Sequence, residues 1–289
     1  MKTGVNKNII YDDKYKIHYR PDIDNFDVIE EVMLTKNYFE KGFSIAKNSC
    51  VIDIGANIGC FSILAAKNAK QVFAFEPEKN TYEILKLNLK ENGLNNVIVQ
   101  NIAVSDKSGD AYLNIFKNNA ALNSMCRPSK DKQIIKTISL KEVFDNNQIL
   151  ECDFLKIDTE GMEYAILEGL SKEYYLKINK IVLEYHNFIK KHDAFNIICL
   201  LSRLGYSVDV IGNTYQGTVY ARKTGKIFLY VKNLHKYMIL IYKTDGKFDR
   251  FIEKTGIFFN QKTGKIGNCL RYNYPKVYKF LKPYFPNKK

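Results

Sequence analysis

The sequence predicts an α/β protein in which helices cover both faces of a parallel, doubly wound sheet. Short apolar runs alternate with amphipathic stretches from Ser49 onward. Cys50–Ile54, Gln71–Phe75 and Phe154–Ile157 have the largely apolar pattern of buried strands. Glu78–Asn92 instead repeats its apolar residues at helical spacing, which indicates a helix after the second strand. Strands that alternate with helices are typical of βαβ units and of a parallel sheet.

The remaining predicted elements continue this alternation. Polar sequence from Asp106 to Lys132 is expected to form hairpins or an excursion from the sheet. We expect the ligand site at the carboxyl ends of the strands, near the switch in strand order. The other helices are predicted at Phe61–Asn68, Met162–Gly169 and Ala194–Leu204. The third strand is predicted at Asn96–Ile102, so that Phe154–Ile157 is the fourth, and the fifth is predicted at Lys180–Glu184. Two closing strands are predicted at Tyr206–Ile211 and Ile227–Val231.

The composition excludes several classes of protein. Hydrophobic residues make up 46% of the chain, as in a globular protein. No apolar run approaches the roughly 18 residues that span a bilayer, and the first 16 residues contain no apolar signal segment. The six cysteines form no Cys-x-x-Cys pair, so no zinc framework is expected. These features predict a reduced, cytoplasmic protein, or one bound peripherally at the inner face of a membrane.

The positive charge is concentrated in the last part of the chain. Residues 222–289 contain 17 Lys and Arg against three Asp and Glu, so the rest of this +13 chain is close to neutral. The same segment contains 14 Phe and Tyr, which argues against a simple disordered arm. This asymmetry predicts a polyanionic partner or a charged membrane surface. Irregularly spaced Lys-Thr-Gly or Lys-Thr-Asp-Gly sequences at Lys223, Lys243, Lys254 and Lys262 are interpreted as hairpin turns.

A loop with two glycines follows the first strand and opens the next helix, and it runs Asp53-Ile-Gly55-Ala56-Asn57-Ile-Gly59-Cys-Phe61. Gly55 permits a tight turn, and Gly59 is expected to let the helix N-terminus approach a ligand closely. Asn57 stands where a dinucleotide fingerprint has its second glycine, and the Gly-Lys-Ser/Thr of a P-loop is absent from the sequence. The loop therefore favours a ligand without a pyrophosphate, such as the amino-acid and ribose parts of S-adenosylmethionine (SAM).

An acidic residue ends the second strand. Glu76 lies 23 residues after Asp53 and is followed by Pro77. A carboxylate at this position would accept two hydrogen bonds from ribose hydroxyls. The alternative is an acid that only stabilises the N-terminus of the following helix. Because the glycine loop precedes Glu76 at this spacing, we favour ribose binding over the alternative.

Two further strand ends carry acidic and imidazole side chains. Asp158 and Glu160 follow the fourth strand, and Glu184 and His186 end the fifth. We expect them to meet above adjacent strands. His186 would act as a general base, since its unperturbed pKa of about 6.5 suits proton removal at neutral pH. Alternatively, the four side chains would bind a divalent cation that acidifies an acceptor hydroxyl. The structural alternative is helix capping and a buried histidine without a catalytic role.

Together these motifs resemble the FkbM family of methyltransferases, and the resemblance covers about residues 20–232. The ordered combination is far more specific than any single motif. The matching segments are Arg20-Pro21-x-x-Asp24-x-Phe26 and Tyr38, Val51–Phe61, Phe75-Glu76-Pro77 with Asn88 and Asn92, Asn101-x-Ala103-Val-Ser-Asp106-x-x-Gly109, Phe154–Glu163, and Glu184-x-His186.

Membership would imply a Rossmann-like class I SAM methyltransferase fold, with a seven-stranded, mostly parallel sheet and an antiparallel last strand. It would also imply methyl transfer to oxygen, on sugar hydroxyls of surface glycans and glycolipids or on hydroxyls of secondary metabolites. A sugar hydroxyl of a cell-surface glycan or glycolipid is the expected acceptor. The resemblance implies a leader (1–47) packed near the cofactor and a methyltransferase domain (48–232). The basic, aromatic extension (233–289) is predicted from its composition and has no counterpart in the family. By analogy the catalytic residues are Asp158, Glu160, Glu184 and His186, and the cofactor-binding residues are Asp53, Gly55, Ala56, Asn57, Gly59, Phe61, Glu76, Pro77, Asn101 and Ala103.

Two other functions fit parts of the sequence. An RNA methyltransferase would use the basic tail to neutralise phosphates and its aromatic residues to stack on bases. The sequence lacks the Asn-Pro-Pro-Tyr or Asp-Pro-Pro-Tyr motif of amino-methylating enzymes, which argues against this function. A non-catalytic glycan- or membrane-binding module is the second alternative. The sequence alone leaves open the acceptor, metal dependence and oligomeric state.

Overall fold

The computed structural model describes residues 8–35, 37–187, 194–213, 215–224, 227–233, 236–242 and 248–253. The chain divides into two compact units. The first comprises Met1–Ile197 and Asp209–Arg222, and the second comprises Ile198–Val208 and Lys223–Lys289. The candidate active site lies in the first unit.

A seven-stranded sheet organises the fold. Its strands, numbered in chain order, are β1 (Cys50–Ile54), β2 (Gln71–Phe75), β3 (Val97–Gln100), β4 (Phe154–Ile157), β5 (Lys180–His186), β6 (Tyr206–Gly212) and β7 (Gln216–Lys223). They lie in the order β3-β2-β1-β4-β5-β7-β6. The strands from β3 to β5 pair in parallel, whereas β7 is antiparallel to β5. The strand order reverses beside β1, so a crevice is expected above β1 and β4.

Helices connect most of these strands, as the alternating pattern predicted. They span Cys60–Ala66, Lys79–Glu91, Leu140–Asn146, Glu163–Glu168, Lys172–Tyr175 and Ala194–Arg203. The helix Lys79–Glu91 begins at Glu78, whose carboxylate accepts the backbone N–H groups of Asn80 and Thr81. Leu140–Asn146 was missed by the sequence analysis, although Ser139 and Glu142 form a capping box at its start.

The excursion between β3 and β4 forms a small second sheet. Ala103–Ser105 pairs in parallel with Asp131–Ser139, which pairs antiparallel with Gly109–Ile115. A 3-10 turn at Ala120–Leu122 interrupts the connection. The expected hairpin-like excursion is therefore present, and it extends to Ser139.

The leader contains short elements. Ile10–Asp12 and Ile17–Tyr19 form a two-stranded hairpin. An α-helix at Phe26–Glu30 continues as a π-helical turn at Glu31–Thr35, and a 3-10 turn follows at Asn37–Phe39. Buried leader residues, among them Ile17, Tyr38 and Phe43, belong to the same apolar cluster as Val51 and Leu85 of the sheet and its helix. The leader is thus part of the hydrophobic core of the first unit.

The second unit contains its own three-stranded antiparallel sheet. Its strands are Ile227–Asn233, Lys236–Tyr242 and Phe248–Glu253. The prediction that Ile227–Val231 closes the central sheet is wrong, because β7 takes that place. Residues 254–289, with two of the Lys-Thr-Gly sequences, lie outside the described residues, as does Lys243. None of the described helices combines the length and apolar composition needed to cross a membrane.

Candidate active site

A cavity of ≈ 360 Å³ lies at the carboxyl ends of the central strands. Residues that end β1, β2, β4 and β5 line it, together with leader residues and the turn at Ala120–Leu122. Of the predicted site residues, it is lined by Gly55, Asn57, Glu76, Pro77, Ala103, Asp158, Glu160, Glu184 and His186. Parallel strands bring these chain positions together because their carboxyl ends meet at one edge of the sheet.

The turn after β1 forms one wall of the cavity. Gly55 has φ +74°, and a Cβ atom there would lie 1.7 Å from the carbonyl oxygen of Asp158. Only glycine fits this crossing of the β1 and β4 ends. The N–H groups of Gly55 and Ala56 both donate to the carbonyl of Phe75, at 3.1 and 3.0 Å, which ties the turn to β2.

Asp53 lies beneath this turn and is fully buried. Parallel register places it opposite Lys156 of β4, whose Nζ lies 3.1 Å from Asp53 Oδ1. Ser62 Oγ donates to Asp53 Oδ2 at 2.6 Å. Asp53 does not line the cavity, so the structure gives it a supporting position below the loop.

Three other loop residues also face away from the main cavity. Gly59 has φ +97°, and a Cβ atom there would meet Leu85 Cδ1 at 2.4 Å. The close contact that requires glycine at this position is with Leu85 of the helix Lys79–Glu91, and the close approach of a ligand at Gly59 stays a prediction. Ala56 and Phe61 line a smaller, adjoining cavity of ≈ 50 Å³. The Phe61 ring packs edge-on against Tyr38 at 5.5 Å between centroids.

Glu76 is buried at the end of β2 with its carboxylate facing the loop. Its Oε2 accepts the N–H of Asn57 and its Oε1 accepts the N–H of Glu78, both at 2.9 Å. Burial raises the pKa of Glu76 to about 7, although these hydrogen bonds oppose the rise. The side-chain oxygen of Asn57 is buried and has no hydrogen-bond partner. Glu76 and Asn57 both line the cavity.

Apolar residues continue the wall beyond Glu76. Pro77 and Ala103 line the cavity together with Val104 and Leu113. Asn101 does not line it. Its amide nitrogen donates to the carbonyls of Glu76 and Pro77, at 2.9 and 3.0 Å, and so it holds the end of β2.

The structure brings the four acidic and imidazole residues together in the lining of the same cavity. His186 Nε2 lies 3.4 Å from Glu160 Oε1 and 3.8 Å from Glu184 Oε1. Asp158 Oδ2 accepts the hydroxyl of Tyr38 at 2.9 Å. β5 extends to His186, two residues beyond the predicted strand end at Glu184. The four residues form what is here called the acidic cluster.

Burial and neighbouring charges shift the pKa values of three residues in this cluster, Glu160, Glu184 and His186. Burial first, and then the charge of Asp158, raise the pKa of Glu160 to about 7 and that of Glu184 to about 8. Burial disfavours the charged form of His186, but the adjacent carboxylate of Glu163 and the charge of Glu160 raise its pKa to about 9. His186 is therefore protonated at neutral pH in this arrangement, unlike the neutral base that its ordinary pKa suggests.

Three residues that support the site were not predicted as site residues. Glu163 is buried beside His186, with Oε1 3.5 Å from Nδ1. Lys156 Nζ donates to the carbonyl of Gly55 at 2.6 Å and lies 3.7 Å from Asp158 Oδ2. Tyr38 connects the leader to Asp158. A lysine inside the buried strand β4 was a usable signal, since a buried charge needs a partner.

The acidic cluster also offers ligands for a cation. One ligand atom each from Asp158, Glu160 and His186 lie within 4.8 Å of one another. Two carboxylates and an imidazole suit several divalent ions. Two basic side chains lie beside this cluster: the Arg127 guanidinium is 3.4 Å from Glu160 Oε2, and Lys156 Nζ is 3.7 Å from Asp158 Oδ2.

The fold and the cavity together define the class of this protein. A sheet of order β3-β2-β1-β4-β5-β7-β6 with β7 antiparallel is that of a class I SAM-dependent methyltransferase. The predicted fold class is confirmed.

Comparison with known proteins identifies the family. Residues 53–208 match the methyltransferase FkbM domain. The chain is 28% identical over 147 residues to the hexuronic acid methyltransferase AglP of Haloferax volcanii, covering 50% of this chain and 59% of AglP. It is 24% identical over 191 residues to the 31-O-demethyl-FK506 methyltransferase FkbM of Streptomyces tacrolimicus, covering 54% of this chain and 73% of that protein. A crystal structure of methyltransferase FkbM from Methylobacillus flagellatus has a TM-score of 0.45 at 16% identity, covering 65% of this chain and 47% of that one.

The matched domain spans more than half of the chain, and the chain therefore belongs to the FkbM family of SAM-dependent methyltransferases. The match covers less than two thirds of the length of AglP.

Proposed function

We propose that this protein transfers the methyl group of SAM to a hydroxyl group of a sugar in a glycan or glycolipid. The observation that carries the proposal is the single cavity that joins Glu76 to the acidic cluster. Besides carboxylates, amide side chains line it, namely Asn25, Asn37, Asn57, Asn119, Asn123 and Gln216. No Lys or Arg is among the described residues that line this cavity. Amides and carboxylates without cations suit an acceptor that is recognised through hydroxyl groups.

The end of the cavity near β1 and β2 would hold the cofactor. Glu76 would accept the ribose hydroxyls, and the unpartnered oxygen of Asn57 would accept a further donor. Pro77, Ala103 and Val104 would pack on the adenine ring. Gly55 and Ala56 keep the turn tight, and Asp53 supports it from below.

The acidic cluster would hold the acceptor and take its proton. Bound SAM supplies an electrophilic methyl group, so the residues here must orient a hydroxyl and accept the proton that it loses. Glu160 and Glu184 suit this role, because their raised pKa values lie near neutral pH. His186 would hold both carboxylates through Nε2, and Asp158 would be oriented by Tyr38.

A divalent cation is the second chemistry that this cluster supports. Asp158, Glu160 and His186 would bind it, as their ligand atoms already lie close together. Such an ion would lower the pKa of a coordinated acceptor hydroxyl. A chelator separates this mechanism from proton transfer to a carboxylate.

The proposed acceptor is tested by transfer of label from SAM to cell-envelope glycolipid, polysaccharide and RNA fractions, with and without chelator. We expect label in a glycan-bearing fraction, and its loss in Glu184→Gln with SAM affinity retained. Label confined to RNA would support the RNA methyltransferase, although the neutral first part of the chain and the cavity without cations disfavour it. Absence of SAM binding by calorimetry would support a non-catalytic module. Loss of transfer with chelator, restored by added Mg²⁺ or Mn²⁺, would assign the cation.

The basic, aromatic extension would bring the enzyme to a membrane-bound acceptor. Its Lys and Arg would attract anionic headgroups, and Tyr residues suit the interface. The full chain should bind vesicles containing phosphatidylglycerol more tightly than neutral vesicles. Replacing Lys279, Lys282, Lys288 and Lys289 by Gln should weaken this binding and leave SAM affinity unchanged. Equal affinity for both vesicles would exclude this role.

A further inference from the structure

The carboxylate of Glu163 lies between the turn after β4 and the end of β5. Glu163 is buried, with 2% of its surface exposed. Oε1 accepts the N–H of Thr159, the hydroxyl of Thr159 and the N–H of Gly161, all at 3.0 Å. The same oxygen lies 3.5 Å from His186 Nδ1. One buried carboxylate thus contacts both strand ends that form the acidic cluster.

We infer that Glu163 is a positioning residue that fixes the imidazole of His186, holding Nδ1 on the buried side so that Nε2 faces the acceptor. The two ring nitrogens point in different directions. Nδ1 faces Glu163, whereas Nε2 faces Glu160 and Glu184, which line the cavity. The inference rests on the proposed function, in which His186 organises the carboxylates that take the acceptor proton.

The partner of one ring nitrogen decides what the other can do. A carboxylate on Nδ1 keeps a proton there in both the neutral and the charged forms of the ring. In the charged ring the Nε2–H group then donates to Glu160 and Glu184, whereas in the neutral ring Nε2 has the lone pair that can bind a cation. A carboxylate that orients a histidine in this way is effective with or without a metal. The inference is therefore independent of which chemistry the cluster uses.

Glu163 also holds the backbone that carries Glu160. Glu160 has φ +54° and Gly161 has φ +123°, both in the left-handed region. Such a turn persists when surrounding contacts fix it, and Glu163 supplies three of them. A test must therefore separate the support of the turn from the orientation of His186.

Glu163→Gln makes this separation. The amide oxygen of Gln can replace Oε1 and accept the same three hydrogen bonds, but the negative charge beside Nδ1 is lost. Glu163→Ala removes both contributions. Glu168→Gln is the matched control, since Glu168 ends the same helix and is exposed. We expect Glu163→Gln to melt near the wild type and to keep its SAM affinity, whereas Glu163→Ala should melt earlier.

The contact is tested first by ¹⁵N NMR of the histidine rings. The chain has four histidines, so substitution of His186 assigns its signals. We expect a protonated Nδ1 in the wild type, shifted His186 signals in Glu163→Gln, and unchanged signals in Glu168→Gln. Identical His186 signals in Glu163→Gln and the wild type would overturn the inference. This measurement requires no acceptor. It tests the contact between Glu163 and His186 even if the transfer assay finds no methylated fraction and the proposed function fails.

The catalytic consequence is tested by a double-mutant cycle on kcat, with the acceptor that the transfer assay identifies. Glu163→Gln should lower kcat by about 10–100-fold in the wild type. In a His186→Ala background the same change should alter kcat by no more than about twofold. Equal effects in both backgrounds would show that Glu163 acts only through the fold, which would overturn the inference while the proposed function stands.

Discussion

Replacing Lys156 by methionine should destabilise the fold strongly, because it leaves a buried carboxylate without its partner. The Lys156 side chain is 4% exposed and that of Asp53 is 0% exposed, with 3.1 Å between Nζ and Oδ1. Breaking such a buried pair by removing one partner destabilises a protein by about 3–5 kcal/mol. Typical domains have total stabilities of about 5–15 kcal/mol. Methionine has a similar length, so little of the loss should come from an empty volume.

The double variant Asp53→Asn with Lys156→Met provides the decisive comparison. It removes both charges, and Asn can still accept the Ser62 hydroxyl that now bonds to Asp53. Replacement of a whole buried pair is often nearly neutral, so we expect the double variant to recover most of the lost stability. Lys141→Met is the control, because Lys141 forms an exposed pair with Asp145 at 2.6 Å and should contribute little.

Urea unfolding followed by far-UV circular dichroism measures these differences, since the chain contains no tryptophan. The reasoning would be refuted if Lys156→Met lowered the unfolding free energy no more than Lys141→Met does. It would also be refuted if the double variant were no more stable than Lys156→Met alone.

Three other predictions test the cavity. Burial raises the pKa of Glu76 to about 7, so its carboxylate is ionised above that pH. Calorimetry should therefore show that SAM affinity falls as the pH drops below about 7 in the wild type, but not in Glu76→Gln. A wild-type affinity that does not change with pH would contradict ribose binding by the carboxylate. Gly55→Ala should abolish SAM binding or folding, because its Cβ would overlap the Asp158 carbonyl at 1.7 Å. Gly93→Ala, with φ +64° and nothing within 4 Å of its Cβ, should lose only about 1–2 kcal/mol of stability to backbone strain in thermal melts. Tyr38→Phe removes the hydroxyl group that donates to Asp158. This change should lower the free energy of unfolding by about 1.5–3 kcal/mol and should lower kcat. An unchanged kcat would show that Asp158 is oriented without the leader.

The strands near the site were predictable because their sequences are locally unambiguous. Gln71–Phe75 and Phe154–Ile157 were predicted with the bounds that the structure has. β7 was missed because Gln216–Lys223 begins and ends with polar residues and contains a glycine, and only Val219, Tyr220 and Ala221 are buried. Ile227–Val231 is more apolar and does form a strand, but in another sheet. Local apolarity indicates a strand and does not identify its neighbour.

The supporting contacts of the site depend on register and on backbone turns that no sequence motif specifies. Lys156 meets Asp53 because β1 and β4 pair with these residues opposite each other. Glu163 meets His186 because the turn after β4 contains Glu160 in a left-handed conformation. Gly59 belongs to the same motif as Gly55, yet it packs on Leu85 while Gly55 crosses the β4 end. A motif therefore indicates which loop is present, whereas the partner of each residue follows from the assembled sheet.

The order of the pKa values in the acidic cluster shows why unperturbed values mislead at such a site. An isolated imidazole would be the natural base near pH 7. Here the carboxylates around His186 raise its pKa to about 9, while burial raises those of Glu160 and Glu184 to about 7 and about 8. The imidazole therefore keeps its proton at the pH at which these carboxylates can still accept one. Under the proposed function, a carboxylate would therefore take the acceptor proton, and His186 would be the charge that keeps two buried acids close together.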